Sequence, residues 1–355
     1  MTDNAKKEVE DPKKKARQMA MDKLRKDQGP GIIMRLGDAH VEDIPVIPSG
    51  SISLDMILGV GGFPRGRVVE VFGWEGSGKS TLAMHAVAEV QKQGGTALYI
   101  DAEHALDKKY AANIGINVDE LLISQPDCGE QALIVLETMA SSGAIDLIVV
   151  DSVAALTPRK EIEGEMGDAQ MGAQARLMSQ AMRKLIAIIN NTKTCLMFIN
   201  QLRNKIGIIY GSNETTTGGN ALKFSATIRL DVRKRAAIKN DTNQIIGHAL
   251  HIKVVKNKVA PPFTECEIDL IYGQGFAKDD DIVNAAEHRQ IFDKKGSWYS
   301  YAGQKIGQGR EEVKKWLLEH PKETEEIKRL LKKEPVAEAS EVPKMDAEEE
   351  ALFNT

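Results

Sequence analysis

The segment Gly73-Trp-Glu-Gly-Ser-Gly-Lys-Ser80 has the residue types and spacing to hold a nucleoside triphosphate. It fits GxxxxGK[ST], in which Gly73, Gly76 and Gly78 let backbone N–H groups wrap around phosphates and the dipole of a following helix favours the anion. Lys79 would reach the β and γ phosphates, and the Ser80 hydroxyl would bind Mg²⁺. Trp74, Glu75, Ser77 and Thr81 complete the cradle. The plainer reading, a glycine-rich turn, is disfavoured because a strand-like run precedes the segment and a helical pattern follows it.

Two carboxylates stand where an NTPase needs them. Asp151 ends the apolar run Ile148-Val-Val-Asp, and an acid at the carboxyl end of a buried strand can hold a metal's water shell. Glu103, in Asp101-Ala-Glu-His-Ala-Leu-Asp107, follows a neighbouring strand and could polarise the attacking water. The same residue would serve equally well as a helix-capping acid, and His104 reads as structural.

Two long loops leave the same core. The segment 201–220 is rich in glycine and threonine and carries Arg203, Lys205 and Tyr210 before Thr217, Gly218, Gly219 and Asn220. Hydroxyls, amides and cations of this kind can track a phosphate backbone, and an apolar tip can wedge between bases. The other loop runs over 157–168. Either can also be a plain solvent loop, although loops this long in a compact core usually carry function. Lys253-Val-Val-Lys-Asn-Lys258 alternates like an edge strand. Its lysines either protect that edge or donate cations to a phosphate site in this chain or a neighbour.

These groups need a scaffold. Apolar strand-like runs at 67–72, 96–101, 145–151 and 195–200 alternate with helical patterns at 79–93, 130–140 and 170–190, the signature of βαβ units around a parallel sheet. The runs 223–232, 248–255 and 263–271 lack intervening helices and predict antiparallel additions at one end. Residues 278–333 read as a small α/β lobe with helices near 282–286 and 311–318. The N-terminal stretch predicts a helix up to about residue 28, with a narrow stripe of Met19, Ala20, Met21 and Leu24 that suits docking on another surface. The end of the chain is acidic and low in apolar residues, and is expected to be disordered.

The chain has 355 residues, 42% hydrophobic and 28% charged, with a net charge of -4, so a nucleic-acid surface must be a local basic patch. No apolar run approaches the roughly 20 residues of a membrane span, and no signal peptide is visible. Cys128, Cys195 and Cys266 are widely spaced and odd in number, which fits a reducing, cytoplasmic setting.

In order and spacing these motifs resemble bacterial RecA recombinases. The resemblance rests on the phosphate loop, Asp101–Asp107, Val149-Val-Asp-Ser-Val-Ala-Ala-Leu-Thr-Pro158, Glu161–Glu165, Met178–Lys184, Gly211–Phe224 and Lys253–Lys258, and covers roughly 32–331. It implies a P-loop NTPase core of the RecA-like α/β class with a mostly parallel central sheet. The implied division is an N-terminal oligomerisation helix and linker (1–36), the ATPase core (37–277), a small C-terminal α/β domain (278–335) and an acidic tail (336–355).

By the same resemblance, Glu103 would activate the hydrolytic water and Gln201 would sense the γ-phosphate and relay it to the loops. Asp107, Tyr110 and Tyr272, with Gly273, would contact the adenine. Lys256 and Lys258 would reach a neighbour's ATP, with Phe224 in the same interface. Arg176 and Arg183 would join the two loops in holding single-stranded DNA, and Arg233 and Lys253 would meet duplex DNA. The implied function is a DNA-dependent ATPase, using ATP and Mg²⁺, that forms helical filaments on single strands and exchanges them into homologous duplex. It would also stimulate self-cleavage of LexA-type repressors.

Three positions depart from the family pattern. Trp74 stands where proline is common, Tyr210 replaces a phenylalanine, and His251 replaces an arginine. A RadA-like protein or helicase and a small-molecule kinase are the competing readings. The chain lacks the N-terminal four-cysteine finger and KNRFG motif of the first, and shows no acceptor-site motif for the second.

Overall fold

The computed structural model describes residues 11–29, 31–35, 44–165, 172–204 and 214–333. Lys205, Tyr210, the end of the 157–168 loop from residue 166 and the acidic tail lie outside the described residues. The chain divides into two units, up to Ile44 and from Pro45 onward.

In the first unit, α1 spans Pro12–Gln28. Asp11 caps it by accepting from Lys13 N at 3.0 Å, Pro12 opens it where no N–H is needed, and Arg25 and Lys26 oppose the dipole at its far end. Of the anticipated stripe, Met21 is buried while Met19 and Leu24 are 66% and 43% exposed.

The second unit begins with β1 (Val46–Ile47) and β2 (Phe63–Pro64), which pair on either side of α2 (Ile52–Ile57). Then come β3 (Val68–Gly73), α3 (Lys79–Lys92), β4 (Ala97–Asp101), α4 (Lys108–Ile114) and β5 (Leu122–Ser124). Next are α5 (Gly129–Ser141), β6 (Leu147–Asp151), α6 (Arg159–Glu163), α7 (Ala173–Thr192) and β7 (Cys195–Asn204). They are followed by β8 (Glu214–Thr216), α8 (Ala221–Ser225), β9 (Ile228–Lys239), β10 (Ile245–Asn257), β11 (Glu265–Ile271) and β12 (Gly275–Phe276). The order in the main sheet is β12-β11-β10-β9-β3-β7-β6-β4-β5, with β8 paired to β7.

From β9 to β5 the neighbours run parallel. Their residues alternate between two apolar layers. Val69, Val71, Tyr99, Val149 and Met197 face the layer containing α3, while Val68, Ile100, Ile148 and Phe198 face the layer containing α5 and α7. Burial on both faces is why these strands read as continuous apolar runs.

Beyond β3 this changes. Ile228, Leu230, Val232, Leu250 and Ile252 enter one layer, and Arg229, Asp231, Arg233, His251 and Lys253 alternate between them on the other face. The run 223–232 does not form the expected antiparallel addition: its start belongs to helix α8, and β9 lies parallel to β3. Hydropathy alternation carries no strand direction, so this was not legible. β10 and β11 are antiparallel, as expected.

The remaining residues form α9 (Lys278–His288), the antiparallel strands β13 (Asp293–Lys295), β14 (Trp298–Tyr301) and β15 (Gln304–Gln308), then α10 (Arg310–Glu319) and α11 (Pro321–Lys333). Their core includes Val283, Phe292, Tyr299, Val313 and Ile327, and Ile52 of α2 inserts into it. Asp281 of α9 accepts from Ile52 N at 2.7 Å, which fastens the start of α2 to this layer. Beside it, Asp55 is buried and accepts from Ser49 N at 2.8 Å.

Burial pushes the Asp55 carboxyl up from 3.8 to about 7, and Asp281 acts in the same direction, against the bonds from Ser49 and the charge of Lys332. The folded value is above the unfolded one, so the folded chain retains a proton that the unfolded chain releases. This contribution to stability is fully present below pH ~4 and is lost as pH rises to ~7. Asp55→Asn keeps the acceptor for Ser49 and removes the titration. Its urea midpoint is expected to fall less than that of the parent between pH 4 and 8, and an identical slope would contradict the assignment.

Candidate functional site

The site is built where parallel strands β3, β4, β6 and β7 deliver their carboxyl ends to one edge of the sheet. Ligands bind at that edge in open α/β sheets because helix N-termini and loops converge there. β3 ends at Gly73, where a Cβ would stand 2.2 Å from Val232 O, so only glycine lets the chain leave the strand this close to β9. Gly78 has φ 86 and begins α3 from a left-handed conformation.

Between these glycines Lys79 is 7% exposed, and its Nζ donates to Trp74 O at 2.7 Å. Burial lowers its pKa, against the attraction of Asp151, Glu103 and Glu75. The buried Ser77 Oγ has no hydrogen-bond partner among the described residues. An ammonium held by one carbonyl and an orphaned hydroxyl, set on a glycine turn at a helix N-terminus, fit a phosphate chain.

Gly76 to Thr81 line one side of a cavity of about 500 Å³. Asp107, Tyr110, Tyr272 and Gly273, expected around an adenine, line its other side, and His248 and Leu270 join them. Asp107 accepts from Lys109 N at 2.7 Å and Tyr110 N at 3.0 Å and so caps α4, which aims Tyr110 back to Thr81 Oγ1 at 3.0 Å. Tyr272 OH lies 3.3 Å from His248 Nδ1. His248 and Leu270 come from strands far away in sequence, and no local pattern marks them.

Asp151 is 8% exposed and accepts from Tyr99 OH at 2.7 Å. Burial raises its pKa, while bonds from Ser80 and Tyr99 oppose the rise. Ser80 and Asp151 therefore already face each other, as a shared Mg²⁺ would require.

Glu103 is not the cap of α4, since Asp107 has that place. Asp101 accepts from Ala105 N at 3.1 Å and Leu106 N at 3.2 Å, shaping the turn that carries Glu103. Glu103 Oε1 accepts from Ser152 Oγ and, at 2.8 Å, from Gln201 Nε2. Ser152, adjacent to Asp151, was not anticipated.

Gln201 leads directly to the loop segments. Arg203 Nη2 donates to Gln201 Oε1 at 3.2 Å. Asn200 Oδ1 accepts from Gln201 N at 2.9 Å and Thr217 Oγ1 at 2.5 Å, and its amide donates to Glu70 Oε1 at 2.9 Å. Glu70 is fully buried and its other oxygen accepts from Arg229 Nε at 2.6 Å.

The turn after Thr217 packs on α7. Cβ atoms placed on Gly218 and Gly219 would stand 2.8 Å from Val153 and 2.7 Å from Ala175. Arg176 and Arg183, seven residues apart, are exposed on the face of α7 away from the buried Met178, Met182 and Leu185. Thr217 to Asn220 and these arginines are thus joined by one helix.

Other residues stand apart from the cavity. Lys256 Nζ donates to Lys223 O at 2.6 Å and Phe224 O at 3.0 Å, and Lys258 Nζ donates to Phe224 O at 3.2 Å. Burial, together with Lys258 and Arg229, lowers Lys256 to about 8. Phe224 is 74% exposed. Arg233 donates to both Asp231 and Glu214, so its charge is already matched, and His251 lies opposite it across β9 and β10. Lys253 pairs in register with Asp231.

Residues 15–277 match the family described as RecA N-terminal domain, and residues 280–334 that described as RecA C-terminal domain. Curated relatives called Protein RecA include one from Lactiplantibacillus pentosus, 59% identical over 322 residues that cover 91% of this chain and 85% of the relative. Another, from Lactobacillus delbrueckii subsp. bulgaricus, is 56% identical over 325 residues, 92% of this chain and 98% of the relative. A third, from Citrifermentans bemidjiense, is 56% identical over 322 residues, 90% and 95% of the two chains.

A ring on the exposed flank of the cavity contributes stacking area. Tyr272→Ala is expected to raise the Kd for a fluorescent adenine nucleotide about three- to tenfold. Unchanged affinity in an equilibrium titration would remove Tyr272 from the site.

Proposed function

The chain belongs to the RecA family, and we propose that its cavity binds ATP with Mg²⁺ and that Gln201 connects hydrolysis there to DNA held by the loops. As a family member it is a DNA-dependent ATPase coupled to strand exchange, acting in recombination and repair. What carries the site reading is the 2.8 Å bond from Gln201 to Glu103, because Gln201 stands on the strand that enters the 205–213 segment.

In this reading Gly73 to Ser80 cradle the phosphates, with Lys79 leaving Trp74 O for the β and γ oxygens. Ser80 and Asp151 would hold Mg²⁺, which would supply positive charge against the phosphate oxygens. Glu103 takes a proton from the water that attacks the γ-phosphorus, and the bond to ADP breaks. Gln201 holds Glu103 Oε1 and feels any change there, and its backbone N–H on Asn200 passes that change to Thr217.

Single-stranded DNA would lie along Arg176, Arg183, Arg203, Lys205, Tyr210 and the turn 217–220. Duplex DNA would meet Lys253, His251 and the edge of Arg233. Lys256 and Lys258, with the exposed Phe224 beside them, would meet the ATP of the next protomer in a helical filament. The uncovered Met19 and Leu24 of α1 suit docking in that filament. The division at 36, 277 and 335, a LexA-type repressor as partner and a cytoplasmic location belong to the same proposal. Among the described residues no helix is long and apolar enough to cross a membrane.

Glu103→Gln is the direct test, because it preserves shape and removes the base. The variant is expected to bind ATP and single-stranded DNA normally while hydrolysis falls about 10²- to 10⁴-fold. Turnover at the parent rate would remove Glu103 as the base.

A further inference from the structure

Trp74 touches both sides of the machinery. Its carbonyl accepts from Lys79 Nζ at 2.7 Å, and its indole Nε1–H donates to Glu214 Oε1 at 3.0 Å. Glu214 is the first described residue after the 205–213 segment, and it lies in register with Asn204, the last before that segment. The indole therefore joins the phosphate loop to the pair of residues that closes the base of the loop.

Glu214 is a firm partner. Arg233 Nη1 and Nη2 donate to its two oxygens at 3.0 and 2.6 Å, and Asp231 holds the same guanidinium at 2.7 and 2.8 Å. These bonds keep Glu214 ionised, the hydrogen bonds of Arg233 lowering its pKa most. A donor to a carboxylate fixed in this way gives a stronger and more directional bond than one to a mobile acid. Its side chains stand on the phosphate loop, β8 and β9, whereas Glu103 and Gln201 follow β4 and stand on β7, the strand with which β8 pairs.

We propose that Trp74 and Glu214 are a positioning pair, a second contact between the nucleotide loop and the base of the DNA-bearing loop that is made by side chains other than Gln201 and works together with it. When Lys79 moves from Trp74 O to a phosphate, the peptide of Trp74 is released and the indole shifts its load on Glu214. In the reverse direction, DNA bound beyond the Asn204–Glu214 pair fixes Glu214 and, through the indole, the loop around the phosphates. Phenylalanine or proline at position 74 has no side-chain N–H to donate, so this link is specific to the tryptophan. The inference rests on the reading of 73–80 as the nucleotide loop and of 205–213 as DNA-bearing.

The test uses the full chain and measures ATP hydrolysis at saturating ATP with and without an oligo(dT) strand, for the parent, Trp74→Phe, Glu214→Ala and the double variant. Each single change is expected to lower the stimulation ratio about three- to tenfold, the range for loss of a bond to a charged acceptor at a partly exposed site. The double variant should fall no further than Glu214→Ala, because with the carboxylate gone Trp74→Phe has no bond left to remove. Single variants with parental stimulation, or effects that multiply in the double, would overturn the proposal.

A second readout follows the indole itself. With Trp298 and Trp316 replaced by phenylalanine, Trp74 is the remaining tryptophan of the three in the chain. Its emission should shift when oligo(dT) is added, and Glu214→Ala should abolish that shift. A shift that survives Glu214→Ala contradicts the link. A parent protein that binds oligo(dT) without any stimulation of hydrolysis would sink the underlying DNA-gated reading as well. Stimulated parent and unaffected variants would sink this inference alone.

Discussion

One carboxylate oxygen, Glu103 Oε1, accepts hydrogen bonds from Ser152 and from Gln201. Glu103 and Ser152 follow β4 and β6 and Gln201 lies in the last half of β7, so the contact exists only if these strands lie parallel and adjacent in the order 7-6-4. A single-residue slip of any of them would turn its terminal side chain to the opposite face and break the convergence. The apolar layers above and below the sheet hold that register. Tyr99 and Met197 lock one face, and Ile100 and Phe198 the other.

Polar groups inside this sheet are satisfied as a chain. Asn200 bonds Thr217, Gln201 and Glu70, and Glu70 is paired with Arg229, whose guanidinium also lies 4.6 Å over the ring of Phe72. An isolated buried carboxylate here would be strongly disfavoured, so removing Arg229 would leave an uncompensated charge beneath the candidate relay. The same network ties the candidate DNA turn at Thr217 to the strand end carrying Gln201. Nucleotide and loop segments are thus connected by side chains with few free rotamers, which is what a transmitted displacement requires.

Much of this was legible in the sequence because local pattern and chemistry coincide. The phosphate loop falls between a strand and a helix, Asp151 ends a run buried on both faces, and Lys79 to Lys92 has the expected helical span. What escaped depends on distant partners. His248 and Leu270 reach the cavity from strands whose own residues show only alternation. Ser152 sits beside a recognised acid but carries no signature, and Glu214 and Arg233 become a pair only when β8, paired to β7, brings Glu214 to the Arg233 side chain of β9. The direction of β9 and the placement of the three strands between Asp293 and Gln308 were likewise invisible, since strands of three to five residues and strand polarity leave no periodic trace. The tyrosines of the cavity and the cross-subunit role expected of Lys256 and Lys258 came from family resemblance, not from spacing.

The central claim is that a DNA strand held by the loops changes hydrolysis in the cavity through Gln201. Its most direct measurement is ATP hydrolysis by the purified protein with and without single-stranded DNA, run in parallel on Gln201→Ala, with Lys79→Ala as the blank. Strong stimulation by single strands is expected in the parent, little or none in Gln201→Ala despite retained ATP binding, and no hydrolysis in the blank. Hydrolysis indifferent to DNA in the parent, or full stimulation in Gln201→Ala, would contradict it.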